Sequence, residues 1–316
     1  MKRFISLLLA ACLLAVMLTA CGGLTAKPQK IKVAVLPILD ALPIFVAESQ
    51  GYFKAQGIEV EIVPVSSAPE RDQLMQSGQV DAILNELVST IFYNQEETRV
   101  VTVRYLRVAT SEYPMFRIIA SKDSGIANVD DLKGIPIGIS EGTVIAYVTD
   151  RILEKQGFNQ DEIEVIAIPK IPDRLALLTS GELEAGVLPD PAASLVLMQG
   201  GVMVVDDTTY PEISCSVLSF SASAIEENPD GVRRFLAALE QATADINADK
   251  ERWTDLLAEK SLVPPPLMGS YKVPDFPLAS APTEAQFADA LDWAQEKGFV
   301  SAELRYEDSI DSTFLP

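Results

Sequence analysis

The apolar and polar positions of this chain follow the same pattern twice. Residues 59–84, EVEIVPVSSAPERDQLMQSGQVDAIL, align without gaps on residues 162–187, EIEVIAIPKIPDRLALLTSGELEAGV, at a constant offset of 162 − 59 = 103 positions. Each copy opens on a β-rich alternation and passes through a polar loop containing proline. It then enters a short amphipathic helix and stops at Ser-Gly before a second apolar run. Gly78 and Gly181 stand where a left-handed helix cap is needed. Upstream, IKVAVLPI with ALPIFVAESQGYFKAQG, and GIPIGIS with GTVIAYVTDRILEKQGF, add one strand and one helix to each copy. Each half therefore predicts β-α-β-α-β, the unit of an open parallel sheet with helices on its faces. The fold class expected is α/β with two lobes, each a doubly wound, mainly parallel sheet. Such sheets bind ligands at the carboxyl ends of their strands, so two lobes imply a cleft.

Beyond the second copy, GGVMVVDDT and SCSVLSFSAS lead to a helix announced by Asn228-Pro229, with Asn as N-cap and Pro in the first turn. The stretch 263–282 carries six prolines and is expected to be a surface loop. TEAQ at 283–286 is a capping box for a last helix running to Gly298. PMFRIIAS (114–121) and SCSVLSFSAS (214–223) are expected to be the two hinge crossings, with the C-terminal helices returning to the first lobe. The predicted organisation is a first lobe of residues 31–115 plus 216–316 and a second lobe of residues 116–215.

The first twenty-one residues, MKRFISLLLAACLLAVMLTAC, pair two early cations with an apolar run too short for a comfortable membrane span. They predict a secretory leader over residues 1–20. Leu18-Thr19-Ala20-Cys21 resembles the bacterial lipobox. Lipid on Cys21 would hold the chain to a membrane on its extracytoplasmic side, each buried CH₂ adding about 0.8 kcal/mol, with residues 21–30 as the tether. The bland alternative is an uncleaved anchor or ordinary cleavage with Cys21 incidental.

Composition narrows the chemistry. A formal charge of −20, with no long basic cluster, argues against nucleic acid as a partner. There is no histidine, which excludes Ser-His-Asp, Cys-His and His-based zinc sites, and Cys215 is the only cysteine beyond the leader and Cys21. Neither a cofactor nor a metal is expected. Binding without chemistry, or carboxylate-only chemistry, survives.

ALPIFVAESQGYFKAQGIEVEIVPV, LMQSGQVDAIL, DLKGIPIGISEGT and AGVLPDPAASL, in this order across residues 31 to about 305, resemble the SsuA/THI5-like (NMT1) group of periplasmic solute-binding proteins. The resemblance implies a type II periplasmic binding protein, monomeric, that closes on a small-molecule ligand and delivers it to the permease and ATPase of an ABC importer. Ligands in the group include sulfonates, nitrate-like anions, thiamine pyrimidines and flavins. The group's name also covers a pyrimidine synthase that relies on a histidine and a cysteine-rich motif, which this chain lacks. A carboxylate-dependent lyase on the same fold is the remaining enzymatic alternative.

The strand ends supply the candidate ligand residues. In the first lobe these are Asp40 and Leu42, Ser66 and Ser67, and Asn85 and Glu86. In the second they are Gly142 and Thr143, at a helix opening suited to an acceptor group, and Asp190. Tyr113 and Tyr210 lie near the predicted hinge and helix openings and can stack on a flat ligand. Capping is the competing role for Asp40, Thr143 and Asp190, loop filling for the serines, and packing for the tyrosines. Asp40, Glu86, Glu141 and Asp190 with few nearby cations point to a neutral or cationic nitrogenous ligand, because burying a sulfonate among them would cost several kcal/mol.

Overall fold

The computed structural model describes residues 29–316. The leader, Cys21 and the tether up to residue 28 lie outside the described residues. Ten strands are arranged as two five-stranded sheets: β1 (Gln29–Val35), β2 (Ile58–Pro64), β3 (Ala82–Asn85), β4 (Val100–Val108), β5 (Phe116–Ala120), β6 (Ile137–Ile139), β7 (Val165–Ala167), β8 (Ala185–Pro189), β9 (Val202–Asp206) and β10 (Cys215–Ser221). The first sheet runs β2-β1-β3-β10-β4 and the second β7-β6-β8-β5-β9. In each, one antiparallel strand sits fourth in the row: β10 between β3 and β4, β5 between β8 and β9. The other determined pairings, β1 with β2 and β3 and β6 with β7 and β8, are parallel.

The copied sequence maps onto copied structure. The helices Ala68–Gln76 and Ile171–Ser180 begin 103 residues apart, Gly78 and Gly181 both have positive φ after them, and β3 and β8 also begin 103 apart. Every residue of β3 and β8 is buried, as expected of strands covered by helices on both faces.

The antiparallel strands revise the hinge. Segments 114–121 and 214–223 were expected to cross between lobes, but most of each is sheet, as β5 and β10. The chain crosses just before them, at residues 109–115 and 207–214. Their β-rich character is that of central strands, and the polar residues that permit crossing precede them. The two crossings are bonded together: Ala109 N donates to Ser214 O at 3.1 Å. Met115 N and Phe116 N both donate to the Asp207 carboxylate at 3.0 Å.

Arg107, at the end of β4, ties both lobes to one crossing. Its Nη1 donates to Asp40 Oδ1 at 3.2 Å and to Asp190 O at 3.1 Å, while Nη2 donates to Pro114 O at 2.9 Å. The side chain is 1% exposed. Burial, the largest influence, weakens its hold on the proton, but Asp40, Tyr271 and Asp190 together more than reverse this and the guanidinium ends above its ordinary value.

The C-terminal helices divide between the lobes. Pro229–Ala248, capped by Asn228 as expected, seats Phe235 against Phe53 and Phe220 of the first lobe, with ring centroids at 4.7 and 5.6 Å. Glu284–Glu296, with the expected Thr283/Gln286 capping box, instead bridges the lobes. It packs on the first-lobe helix Leu87–Tyr93. Across the other face, Trp293 Nε1 donates to Asp150 of helix Val144–Lys155 at 2.8 Å, and Arg151 reaches Glu296 at 3.0 Å. The expectation that both helices return to the first lobe holds only for the longer one, because the amphipathic face of the last helix is wide enough to seal two neighbours.

Two outcomes follow. Asp40→Ala leaves Arg107 buried with carbonyl partners but no hydrogen-bonded carboxylate, and is expected to destabilise the fold by about 3–5 kcal/mol in urea denaturation, with Asp40→Asn costing less. Burial pushes the Asp207 carboxyl up to about 6 from 3.8, against the pull of its backbone donors. The folded state therefore holds this proton more tightly than the unfolded chain. Its contribution, roughly 3 kcal/mol, is complete below pH about 4 and is lost as pH rises through about 6. Asp207→Asn is expected to flatten the stability profile across that window, measured by thermal unfolding at fixed ionic strength.

Candidate functional site

Where the carboxyl ends of the two sheets face each other, a cavity is lined from both lobes. The first lobe contributes Asp40, Arg71, Asn85, Glu86 and Ser216, and the second Ser140, Thr143 and Arg174. Its apolar walls include Leu36, Ile38, Phe116, Ile145 and Ile171. About 60 Å³ is open to water-sized occupants, so the lobes are nearly closed. A roomier hollow of about 690 Å³ lies between Tyr113, Tyr271 and the segment Lys250–Leu257. It contains none of the buried side-chain atoms that lack partners, whereas the interlobe cavity is lined by three residues that do: Ser140 Oγ, Ser216 Oγ and Arg174 Nη2. Buried polar groups are almost always satisfied, so three orphans on one cavity mark the cleft as the binding site candidate despite its smaller size.

The carboxylates of the cleft are occupied. Asp40 is held by Arg107 at 3.2 Å. Glu86 caps the helix Leu87–Tyr93 by accepting from Ser89 N at 3.0 Å, and its other oxygen accepts from Ser89 Oγ at 2.5 Å and from Arg71 Nη2 at 3.2 Å. Asp190 accepts from Tyr271 at 2.6 Å and Ser194 at 2.5 Å, with Arg117 at 3.6 Å. Glu141 is exposed. An acidic cleft poor in cations, the basis for expecting a nitrogenous ligand, is therefore corrected: buried arginines have already neutralised it. The pattern hid them, because Arg71 and Arg174 lie on short helices where an arginine normally faces water.

Arg71 and Arg174 differ in their company. Burial draws the Arg71 proton off, but Asp72 and Glu86 more than reverse this and hold it above the ordinary value. Arg174 is fully buried and has only backbone acceptors: Nε donates to Val187 O at 2.7 Å and Nη1 to Ile168 O at 2.5 Å. With burial acting alone its guanidinium is pulled down to about 10, still charged at neutral pH.

Of the residues named from the sequence, the cleft brings together Asp40, Asn85, Glu86 and Thr143. Thr143 also caps its helix, accepting from Ile145 N and donating to Ser140 O at 2.7 Å. Asn85 donates to Thr90 and accepts from Ser219, so it is fixed rather than free. Seven others lie away from the cavity wall. Leu42 is wholly buried in the core, Ser66 and Ser67 bond Glu70 at the start of a helix, and Gly142 turns the chain at φ +63°. Tyr113 lines the outer hollow, and Tyr210 lies under Lys155, 4.9 Å from ring centre to ammonium. Asp190 sits one residue beyond Pro189 of the wall and serves the interlobe contact. Arg71, Arg174, Ser140 and Ser216 were not picked out from the sequence. One signal was available: the two arginines fall at the same place in the repeat.

Cys215 also lines the cavity, but burial pushes its thiol up to about 12, which keeps it an inert thiol at neutral pH. Among the described residues no group of three or more His, Cys, Asp or Glu side chains could hold a metal ion, and no helix is long and apolar enough to cross a membrane.

The two-lobed arrangement is shared with known proteins. The alkanesulfonate-binding protein SsuA from Xanthomonas axonopodis pv. citri, solved bound to MOPS, superposes with a TM-score of 0.75 over 90% of this chain and 99% of its own, at 17% identity. A protein of Escherichia coli (strain K12) named for binding aliphatic sulfonates is 28% identical over 171 residues, which are 54% of this chain and 53% of that protein. A 4-amino-5-hydroxymethyl-2-methylpyrimidine phosphate synthase of Aspergillus parasiticus is 23% identical over 222 residues, 66% of this chain and 63% of the synthase. The chain thus spans between half and two thirds of the length of these curated relatives. The family described as NMT1/THI5 like matches residues 39–252, more than half of the chain, and to that family the protein belongs.

Proposed function

We propose that this protein is the extracytoplasmic solute-binding component of an ABC importer, capturing a small organic ligand between its lobes and presenting it to a permease driven by its ATPase. The observation that carries this reading is the interlobe cavity whose partnerless polar atoms come from both sides, Ser216 from the first lobe and Ser140 and Arg174 from the second. A ligand can shift an open-to-closed equilibrium only through contacts that differ between the two states, and a group touching both walls makes such contacts only when the lobes are together. The two bonded crossings supply the hinge. The protein acts as a monomer without a cofactor, and lipid on Cys21 keeps it at the membrane beside its permease.

The synthase relatives raise a second reading, turnover of the captured molecule. The residues oppose it. Histidine is absent from the chain, the one cysteine of the cleft is a buried thiol, and Asp40 and Glu86 are locked in ion pairs. A free general base needs reach and a tuned proton affinity, and none of these groups is free to act.

Denaturing the purified protein and identifying the released small molecule by mass spectrometry is expected to give one unaltered compound per chain. That compound, returned at 100 times its dissociation constant, is expected to stabilise the fold by about 2.7 kcal/mol in thermal unfolding. Accumulation of a product instead would turn the reading to an enzyme. Failure of any released compound to raise the melting temperature would remove the binding reading.

A further inference from the structure

We infer that the outer hollow beside the hinge is a second binding site, separate from the cleft, for an uncharged aromatic molecule that carries an N–H or O–H donor. The observation that carries it is Tyr113, the one tyrosine that neither the core nor a side-chain interaction accounts for.

The chain has eight tyrosines. Seven of them belong to a core cluster or pack against one. Six of those seven also bond through the hydroxyl, and the other, Tyr210, has the Lys155 ammonium over its ring. Tyr113 does neither. It is half-buried, lies outside all three core clusters and, among the described residues, is bonded only through its backbone. Thr110 fixes it there: Thr110 N donates to Tyr113 O and Tyr113 N donates to Thr110 Oγ1, both at 3.0 Å. A turn of the first crossing thus holds a bulky ring on the wall of the hollow, where it packs against no core.

The remaining walls are already built. Segment 264–271 turns tightly: Leu267 N donates to Pro264 O at 2.9 Å, and Ser270 N and Tyr271 N both donate to Leu267 O at 3.0 Å. Tyr271 is held a second time, through its hydroxyl to Asp190 at 2.6 Å. Burial raises that hydroxyl's hold on its proton, so it stays a donor to the carboxylate. Leu257, Val263 and Val273 are buried members of the first-lobe core that also line the hollow. Walls fixed before binding cost little to order when a ligand arrives. The open volume is about 690 Å³, within the roughly 300–1,000 Å³ of small-molecule sites, against about 60 Å³ in the cleft.

The polar atoms of the hollow set the ligand's chemistry. Ser270 Oγ donates to Leu267 O at 3.0 Å and Thr254 Oγ1 donates to Glu251 O at 2.8 Å. Each hydroxyl proton is taken, so these two wall residues offer oxygen lone pairs, which call for a donor. Charge is not selected. Lys250 is paired with Asp275 at 2.6 Å, while Lys272 and Glu251, one of each sign, are exposed to water. An aromatic body suits the Tyr113 ring and the apolar walls, stacked with an offset or meeting the ring edge-on. The class is therefore a neutral aromatic ring with one donor, of which indole and phenol are simple members.

The test titrates the mature chain by calorimetry with indole and with 1-methylindole, the same ring without its donor. Wild type is expected to bind one indole per chain. Tyr113→Ala is expected to weaken that binding about tenfold, and Tyr113→Phe, which keeps the ring, to retain it. Loss of the donor in 1-methylindole is expected to cost about fivefold in affinity for wild type. Thr254→Trp, which fills the hollow from the Lys250–Leu257 side, is expected to abolish indole binding. Because Tyr113 packs on no core cluster, the melting temperature of unliganded Tyr113→Ala is expected to match wild type, which separates a lost contact from a lost fold. Absence of saturable indole binding by wild type overturns the inference, as does equal indole affinity in Tyr113→Ala and wild type. Equal affinity of wild type for the two indoles overturns the donor and with it the ligand class. Every outcome leaves the reading of the cleft untouched, since neither varied residue lines it.

Discussion

The Arg107 guanidinium is where the molecule is joined. It lies in the seam between two sheets, bonded to a carboxylate of the first lobe, a carbonyl of the second and a carbonyl of the chain that runs between them. Burying a charge there is expensive, and a pair of this kind adds little net stability compared with apolar packing. What it adds is geometry. Three partners in fixed directions hold the first strand-end loop, the end of β8 and one crossing in mutual register, and the first two of these segments contribute to the cavity wall. Asp207 does the complementary work on the other crossing, accepting from the backbone at the start of β5. The bridging helix Glu284–Glu296 then covers the interface from outside.

Because the fold is a doubled one, its asymmetries stand out against the repeat. Two sheets of identical strand order place two helices, two glycine caps and two arginines at equivalent positions. One arginine is neutralised within its own lobe and thereby becomes scaffold. The other, among the described residues, meets only the backbone carbonyls of Val187, Ile168 and Pro169. The neighbouring carboxylates, conspicuous in the sequence, are structural partners of Arg71 and Arg107.

Much of the framework was legible. The repeat located both helix–glycine–strand units, and the caps at Asn228 and Thr283 are local signals whose hydrogen bonds form within a few residues. The crossings were displaced by a few residues, since an apolar strand that enters a sheet from the other lobe looks like any other strand. The last helix was assigned to one lobe because periodicity reports the width of an apolar face and not how many neighbours cover it. Among the ligand candidates, Asp40, Asn85, Glu86 and Thr143 reached the cleft because strand ends must converge there. Tyr113 and Tyr210 point elsewhere, which their positions near the hinge could not reveal.

The sequence by itself determined the two α/β units, their order, the glycine stops and the absence of histidine chemistry, since each depends on residues adjacent in the chain or on composition. Tertiary structure decided which charges meet. Arg71 with Glu86 is a contact over 15 residues and Arg107 with Asp40 over 67, while Arg174, among the described residues, meets only backbone acceptors. An ion pair between distant positions leaves no periodicity to read, and whether a charge is compensated is a property of three-dimensional neighbours alone.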